Sequence, residues 1–313
     1  MAASSFQQKL LRTTFILSNN AVFNGANNQL QIVGLRTLAT IRASGAGIAP
    51  QATIQIYGMK QSDMNALTML AWQALTIERN TVILEASSDG GQSWNAVFQG
   101  QITTSGPDYT AMPDVCLRVE ATTLYYELLT PGEPLAYTGV TSVASAVAKL
   151  AQGINYGFQN NGVTATLQNP YIPGSSISQM KTLCDQAGVD FYIDPQGGPN
   201  GKGLIAITNK GQPRTGALIP TLTPQSGMES YPTLEFWGFT VRSLYNPAYV
   251  FGGQIIVKGS DVLGPSGTPY ALGANGTWWI YKITHTLESI KLNGTWKSEL
   301  GCTSFQTQVI ATP

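Results

Sequence analysis

Apolar residues recur with a period of two along much of the chain. Ile54 and Ile56 alternate with Thr53, Gln55 and Tyr57, the pattern of a strand with one face on a core and the other on solvent or a partner. Leu117 and Val119 alternate with Arg118 and Glu120, and Leu124, Tyr126 and Leu128 continue the same period. The run Thr81-Val82-Ile83-Leu84-Glu85-Ala86 predicts a more buried strand. Three stretches switch to helical spacing. Ser62 with Asp63 is placed to cap a helix carrying Met64, Leu67, Leu70 and Ala71 on one side. Ser142 is placed to cap a second, in which Val143, Val147 and Leu150 share a face and Gly153 is the expected stop. A third starts near Ser176, turns Ile177, Met180, Leu183, Cys184 and Ala187 inward, and ends at Gly188.

Directly after that helix, Val189, Phe191 and Ile193 alternate with Asp190, Tyr192 and Asp194. A Gly/Pro/Asn turn over Gly197–Gly203 leads into the strand Leu204-Ile205-Ala206-Ile207. Helices and strands packed so closely predict a small α+β unit between two β-rich parts. From about Gly216 the β character returns, through Leu234, Phe236 and Gly238 and then Gln254-Ile255-Ile256-Val257-Lys258. The tetrapeptide Asn-Gly-Thr-Trp stands at Asn275–Trp278 and again at Asn293–Trp296. Asn-Gly signals a two-residue hairpin, because both residues tolerate the positive φ of a type I′ turn. Strands over Trp278–Leu287 and Trp296–Phe305 would then form an antiparallel meander. The 33 glycines and 17 prolines are what many short strands joined by tight turns require.

Composition sharpens this picture. Charged residues make up only 11% of the chain, against roughly 25% in an ordinary soluble domain. The 17 basic and 17 acidic residues cancel, so little electrostatic repulsion would keep free copies apart. Obligate interfaces are depleted in charge, which favours a subunit covered by neighbours over a solitary globule. Without a basic cluster, nucleic acid is not an expected partner. No apolar run reaches the roughly 18 residues that span a bilayer, and Phe15-Ile16-Leu17 gives way at once to Ser18-Asn19-Asn20, so no secretory leader is expected. Cys116, Cys184 and Cys302 lack metal-like spacing and are expected as buried thiols in a reducing cytoplasm.

Candidate chemistry is thin. The one histidine, His285, lies in an alternating stretch and has no Gly-x-Ser-x-Gly elbow to serve; a satisfied strand residue is the better reading. Gly201-Lys202 fails as a phosphate loop, since Gln196 and Gly203 stand where a glycine and a Ser or Thr are needed. Asp190 and Asp194 share a strand face, and are read as its solvent side rather than as paired catalytic carboxylates. Ser87-Ser88-Asp89-Gly90-Gly91-Gln92-Ser93-Trp94 resembles the Asp-box of sialidase-like propellers, but it occurs once, without a blade repeat. It is read as a local turn in which Asp89 bonds backbone amides and Trp94 packs under the following strand. No catalytic, cofactor-binding or metal-ligating residue is assigned, and no cofactor is expected.

The order of elements resembles the hub proteins of contractile phage baseplates, in the late-control group that includes the Mu-like hub, and more distantly the N-terminal part of type VI secretion spike proteins. Four stretches carry the resemblance: Ile54–Met59 with Ser62–Leu67; Thr141–Leu150; Ser178–Ile193; and Ser243–Pro247 with Gly252–Ile255 and Trp279–His285. The resemblance implies a mainly β chain with a small α+β insertion and two tail-tube-like antiparallel β-barrels. The barrels are expected at residues 1–138 and 216–313, and the insertion at residues 139–215. It implies a non-enzymatic homotrimer forming a pseudo-sixfold ring, which joins the tail tube protein to a separate spike protein and contacts other baseplate proteins and the tape measure. Such a protein would reside in the tail baseplate of the virion after assembly in the host cytoplasm, with no membrane insertion. Loops such as Gly45-Ala46-Gly47 and Gly264–Gly267 would pack against neighbours, and residues 125–137 are open to either barrel. Three other readings stand beside it: a distal-tail or tube protein of a non-contractile phage; a carbohydrate- or receptor-binding tail protein suggested by the Asp-box and Trp278, Trp279 and Trp296; and, third, a hydrolase.

Overall fold

The computed structural model describes residues 7–18, 21–23, 27–68, 79–110, 112–196, 203–215, 218–236, 238–259 and 275–304. The first part of the chain forms β1 (Leu10–Ile16), β2 (Gln29–Val33), β3 (Thr37–Ser44), β4 (Gln51–Tyr57), helix α1 (Gln61–Leu67), β5 (Thr81–Ser87), β6 (Asn95–Asp108) and β7 (Cys116–Thr122). The middle part holds α2 (Tyr125–Leu129), β8 (Leu135–Ala136), β9 (Val140–Ser142), α3 (Val143–Gly153), β10 (Gly157–Asn161), β11 (Thr166–Gln168), β12 (Tyr171–Ile172), α4 (Ser176–Ala187), β13 (Val189–Asp194) and β14 (Leu204–Asn209). The last part gives β15 (Thr221–Leu222), β16 (Thr233–Glu235), β17 (Gly238–Leu244), β18 (Gln254–Val257), β19 (Gly276–Ser289) and β20 (Trp296–Thr303). The protein is therefore mainly β with few helices.

One sheet runs through both β-rich parts in the order β16-β17-β20-β19-β3-β4-β7-β6-β5-β1-β2, and among the described residues no pairing closes it into a barrel. Strand β19 makes this continuity possible. Its first residues, Gly276–Trp279, pair with β18, while Lys282–Ser289 pair with β3. A bulge between Ile280 and Lys282 separates the two ladders, bending the strand where its partner changes. Gly301 lies opposite the bulge, where a Cβ would come within 3.1 Å of both Lys282 and Tyr281.

Three apolar clusters follow from the patterning. Alternate residues of β1, β3, β4, β5 and β7, among them Leu11, Phe15, Ile54, Ile56, Val82 and Leu117, form the first. Trp296 and Leu287 join it, and the Trp296 indole donates to the Ser88 hydroxyl at 3.2 Å, so the sheet curls until distant strands meet. The second cluster packs α3 and α4 on the small sheet β10-β14-β13, through Val147, Met180, Leu183, Phe191 and Ile205. Leu124, Leu135 and partly buried Tyr137 also belong to it. The third gathers Phe239, Val241, Phe251, Ile255, Ile280 and Leu300 with Tyr192 and Ala206 from the far face of the small sheet.

Several local expectations change in the folded chain. Leu124, Tyr126 and Leu128 do not extend a strand. Leu124 takes φ 58° and a helical turn follows, because the Gln101 side chain accepts from the Tyr126 amide at 2.6 Å and donates to Glu127 at 2.9 Å. Neither Ser62 nor Asp63 caps α1: the N-cap is Lys60 and makes no side-chain cap bond, while Asp63 sits in the first turn, where the helix dipole favours it. Leu70 and Ala71 lie outside the described residues. Ser142 does cap α3 through the Ser145 amide, but Gly153 is helical and the left-handed residue is Asn155. Helix α4 ends at Gly188, with φ 64°, and its N-cap is Ser175. The β19–β20 connection is no two-residue I′ turn, since it spans residues 290–295 and turns on left-handed Ile290 and Asn293. The Gly197–Gly203 turn lies, except for Gly203, outside the described residues, although β13 and β14 pair antiparallel as it would require.

Candidate assembly surfaces

Among the described residues the sheet's main path ends at β16 and β2, and a side branch through β18 ends at β15. Every residue of β16 is exposed. Leu234 pairs with Phe239, which is fully buried in the third cluster, and side chains paired across a sheet share a face. Leu234 is nevertheless 76% exposed, and Phe236 is 90% exposed. The hairpin therefore carries a core-type face past the edge of its own core. Tyr231 and Leu244 are also exposed in this part of the chain. Isolated exposed apolar residues need no explanation, but an apolar edge strand is a template for another chain. At the other end, Val33 of β2 is exposed.

The junction between the small sheet and the third cluster rests on side chains. Arg214 and Asp194 form an ion pair in which both side chains are buried, at 2.8 Å. The same guanidinium donates to the Phe251 carbonyl at 3.1 Å and to Gln159 at 3.0 Å. One cation thus clasps both outer strands of the small sheet, β10 and β13, and the turn before β18. Its Nε has no hydrogen-bond partner among the described residues. Tyr192 stacks edge-on against Phe251 at 5.3 Å and Trp279 at 6.4 Å. The expectation that Asp190 and Asp194 line a solvent face fails at Asp194, while Asp190 stays partly exposed. Asp194 is buried because the third cluster covers that face of β13, and Asp190 accepts the Gly211 amide at 2.9 Å. Arg214 carried no signal in the sequence, for its partners lie 20, 37 and 55 positions away.

The Gly45-Ala46-Gly47 loop is anchored within the chain at Gly47, while Ala46 and Ile48 are exposed. Gly47 donates to the Phe191 carbonyl at 2.7 Å, and a Cβ on it would fall 2.7 Å from the Phe191 ring, so this end of the loop is fixed against the small sheet. Residues 264–267 lie outside the described residues.

The other flagged residues are structural in their surroundings. His285 is buried, its Nδ1 lies 2.8 Å from the Ser298 hydroxyl, and its ring meets Tyr245 edge-on. Burial pulls its pKa down to about 4, because a low-dielectric site disfavours the cation. Asp89 accepts from the amides of Gln92 and Ser93 and from the hydroxyls of Ser87 and Ser93. These bonds hold its carboxyl well below the usual range. The Arg12 guanidinium of β1 lies over the Trp94 ring, 4.4 Å from its centroid. Asp89, Ser87 and Ser93 bond within the turn, while Ser88 accepts the Trp296 indole. All three cysteines are buried free thiols, and burial pushes Cys184 and Cys302 up to about 12. Among the described residues no group of three or more His, Cys, Asp and Glu could hold a metal, and no helix is long and apolar enough to cross a membrane. An open cleft of about 730 Å³ runs along β6 and β7 past Ser105, Asp108, Tyr109, Arg118 and Glu120, far in sequence from His285.

Comparison with known proteins agrees with the architecture. A family model described as baseplate hub gp41 matches residues 10–298. No curated protein sequence matches the chain. Among solved structures, the fold is similar to a tail protein from Neisseria meningitidis MC58, with TM-score 0.57, 11% identity, and coverage of 93% of this chain and 96% of that one. It is similar to the 43 kDa tail protein of prophage MuSo2 from Shewanella oneidensis, with TM-score 0.57, 9% identity, and coverage of 95% and 97%. It is also similar to an E. coli type VI secretion component described as structurally similar to T4 tail proteins gp27 and gp5, with TM-score 0.54, 11% identity, and coverage of 87% and 74%. With its family model spanning nearly the whole sequence and its architecture shared with phage tail proteins, the chain belongs to the baseplate hub gp41 family.

Proposed function

We propose that the chain is a structural subunit of a homotrimeric baseplate ring, in which each copy contributes two tube-like barrels, residues 1–138 and 216–313, and an insertion, residues 139–215. Three copies with two barrels each would present pseudo-sixfold symmetry to the tail tube protein and threefold symmetry to a separate spike protein. Other baseplate proteins and the tape measure would meet the outer loops and the channel. The subunit would be assembled in the host cytoplasm and act without catalysis.

The observation that carries this reading is the β16 edge. Leu234 and Phe236 project a core-type face into solvent in a chain with few charges. Closure of the sheet by neighbouring copies would cover it, and a ring leaves no such edge exposed. Obligate interfaces of this kind bury more than about 2,000 Å². The test is size-exclusion chromatography with light scattering on the chain and on Leu234→Asp and Phe236→Asp, paired with imaging of assembled tails. Loss of assembly in the variants with unchanged circular dichroism supports the reading. Normal rings from both variants overturn it.

A further inference from the structure

The two copies of Asn-Gly-Thr-Trp are treated differently by the fold. Asn275 is tied down: its Oδ1 accepts the Gly259 amide at 2.7 Å, and Gly276 stands opposite Val257 in the β18–β19 ladder. Asn293 lies exposed in the loop between β19 and β20 at φ 56°. No hydrogen bond to its side chain is present among the described residues. Gly294 is there for a steric reason. A Cβ at that position would come within 2.9 Å of the Glu288 carbonyl oxygen and 3.2 Å of the Lys291 carbonyl oxygen. The turn thus requires glycine after Asn293, and a residue without a side chain of its own leaves the following amide nitrogen sterically open to the Asn293 side chain. That amide is held by a bond to the Lys291 carbonyl at 3.1 Å, at an exposed loop of the kind that opens locally without global unfolding.

We propose that Asn293 is a site of spontaneous deamidation and that Asn275 is protected from it. When the loop opens, the Gly294 amide nitrogen gives up its proton to solvent base and attacks the Asn293 side-chain carbonyl carbon. The new C–N bond closes a five-membered succinimide, and the Cγ–Nδ2 bond breaks, releasing ammonia. Water then opens the ring at either carbonyl, leaving aspartate or isoaspartate. The net change is asparagine plus water to acid plus ammonia, with no oxidant or reductant. The formally neutral chain gains one negative charge at the tip of the β19–β20 hairpin. This tip borders an open cleft of about 460 Å³ lined by Lys9, Lys291 and Leu292.

The test incubates the full chain in mildly alkaline buffer and follows both peptides by mass spectrometry, with isoaspartate detected enzymatically. A second arm repeats the incubation in urea. In the folded chain the Asn293 peptide gains the acid form with isoaspartate among the products, while Asn275 converts at least about tenfold more slowly, since it reacts only through opening of its ladder. In urea the two identical tetrapeptides convert alike. Asn293→Gln, whose ring closure would need six members, stops the conversion at that position. Equal rates in the folded chain, no conversion at Asn293, or aspartate without isoaspartate would each overturn the proposal.

Discussion

The two junctions made by the last third of the chain are built on different chemistry. Strand β19 joins β3 through eight successive residue pairs, from Lys282 opposite Ser44 to Ser289 opposite Thr37. That seam is backbone, and it tolerates many side chains provided the inward alternation is kept. The small sheet meets the third cluster instead through particular side chains: the Arg214–Asp194 pair, Gln159 and the Tyr192 ring. A ladder spreads its energy over many bonds. A buried ion pair concentrates it, and removing one partner strands the other charge away from water.

The largest effect expected is at the second seam. Arg214→Met should destabilise the fold by about 3–5 kcal/mol in urea unfolding, because Asp194 is left buried and uncompensated. Asp194→Leu combined with Arg214→Met should recover much of that loss. A double variant no better than the single one would show that Arg214 acts through packing rather than charge.

The ladder seam has its own sensitive point in His285, which faces Ser298 and Tyr245. Its folded pKa of about 4 lies below the ordinary 6.5, so the unfolded chain binds a proton more readily than the folded one between those values. Stability is full above about pH 6.5 and falls as pH drops toward 4, by up to about 3 kcal/mol. His285→Gln should remove that slope, measured by thermal unfolding across the window. A smaller loss, about 1–3 kcal/mol, is expected for Gly47→Ala, which combines a φ of 71° with the Phe191 contact. The smallest is Phe236→Asp. At 90% exposure, it should leave monomer stability within about 0.5 kcal/mol while abolishing assembly.

The contrast also explains what could be read from the sequence. The period-two runs and the apolar stripe of α4 placed β4, β5, β7, β13 and two helices nearly to the residue, because burial on one face is a local pattern. Asp194 was misread for the same reason: alternation says that two faces differ, and it does not say that both are covered. Leu124–Leu128 failed because a distant Gln101 side chain supplies the bonds that convert an apparent strand into a turn. Arg214 and Gln159 draw their meaning from partners far along the chain, and no window of sequence contains it. The exposed edge lay in plain view as Leu234 and Phe236, but its exposure appears only once β17 and β20 are placed.

All of this turns on whether sister copies cover the β16 edge. Imaging of native baseplates at a resolution sufficient to count subunits answers that most directly. Three copies around the tail axis, each with Leu234 and Phe236 enclosed by a neighbour, is the result expected; a single copy, or a ring that leaves those side chains in solvent, would contradict the account.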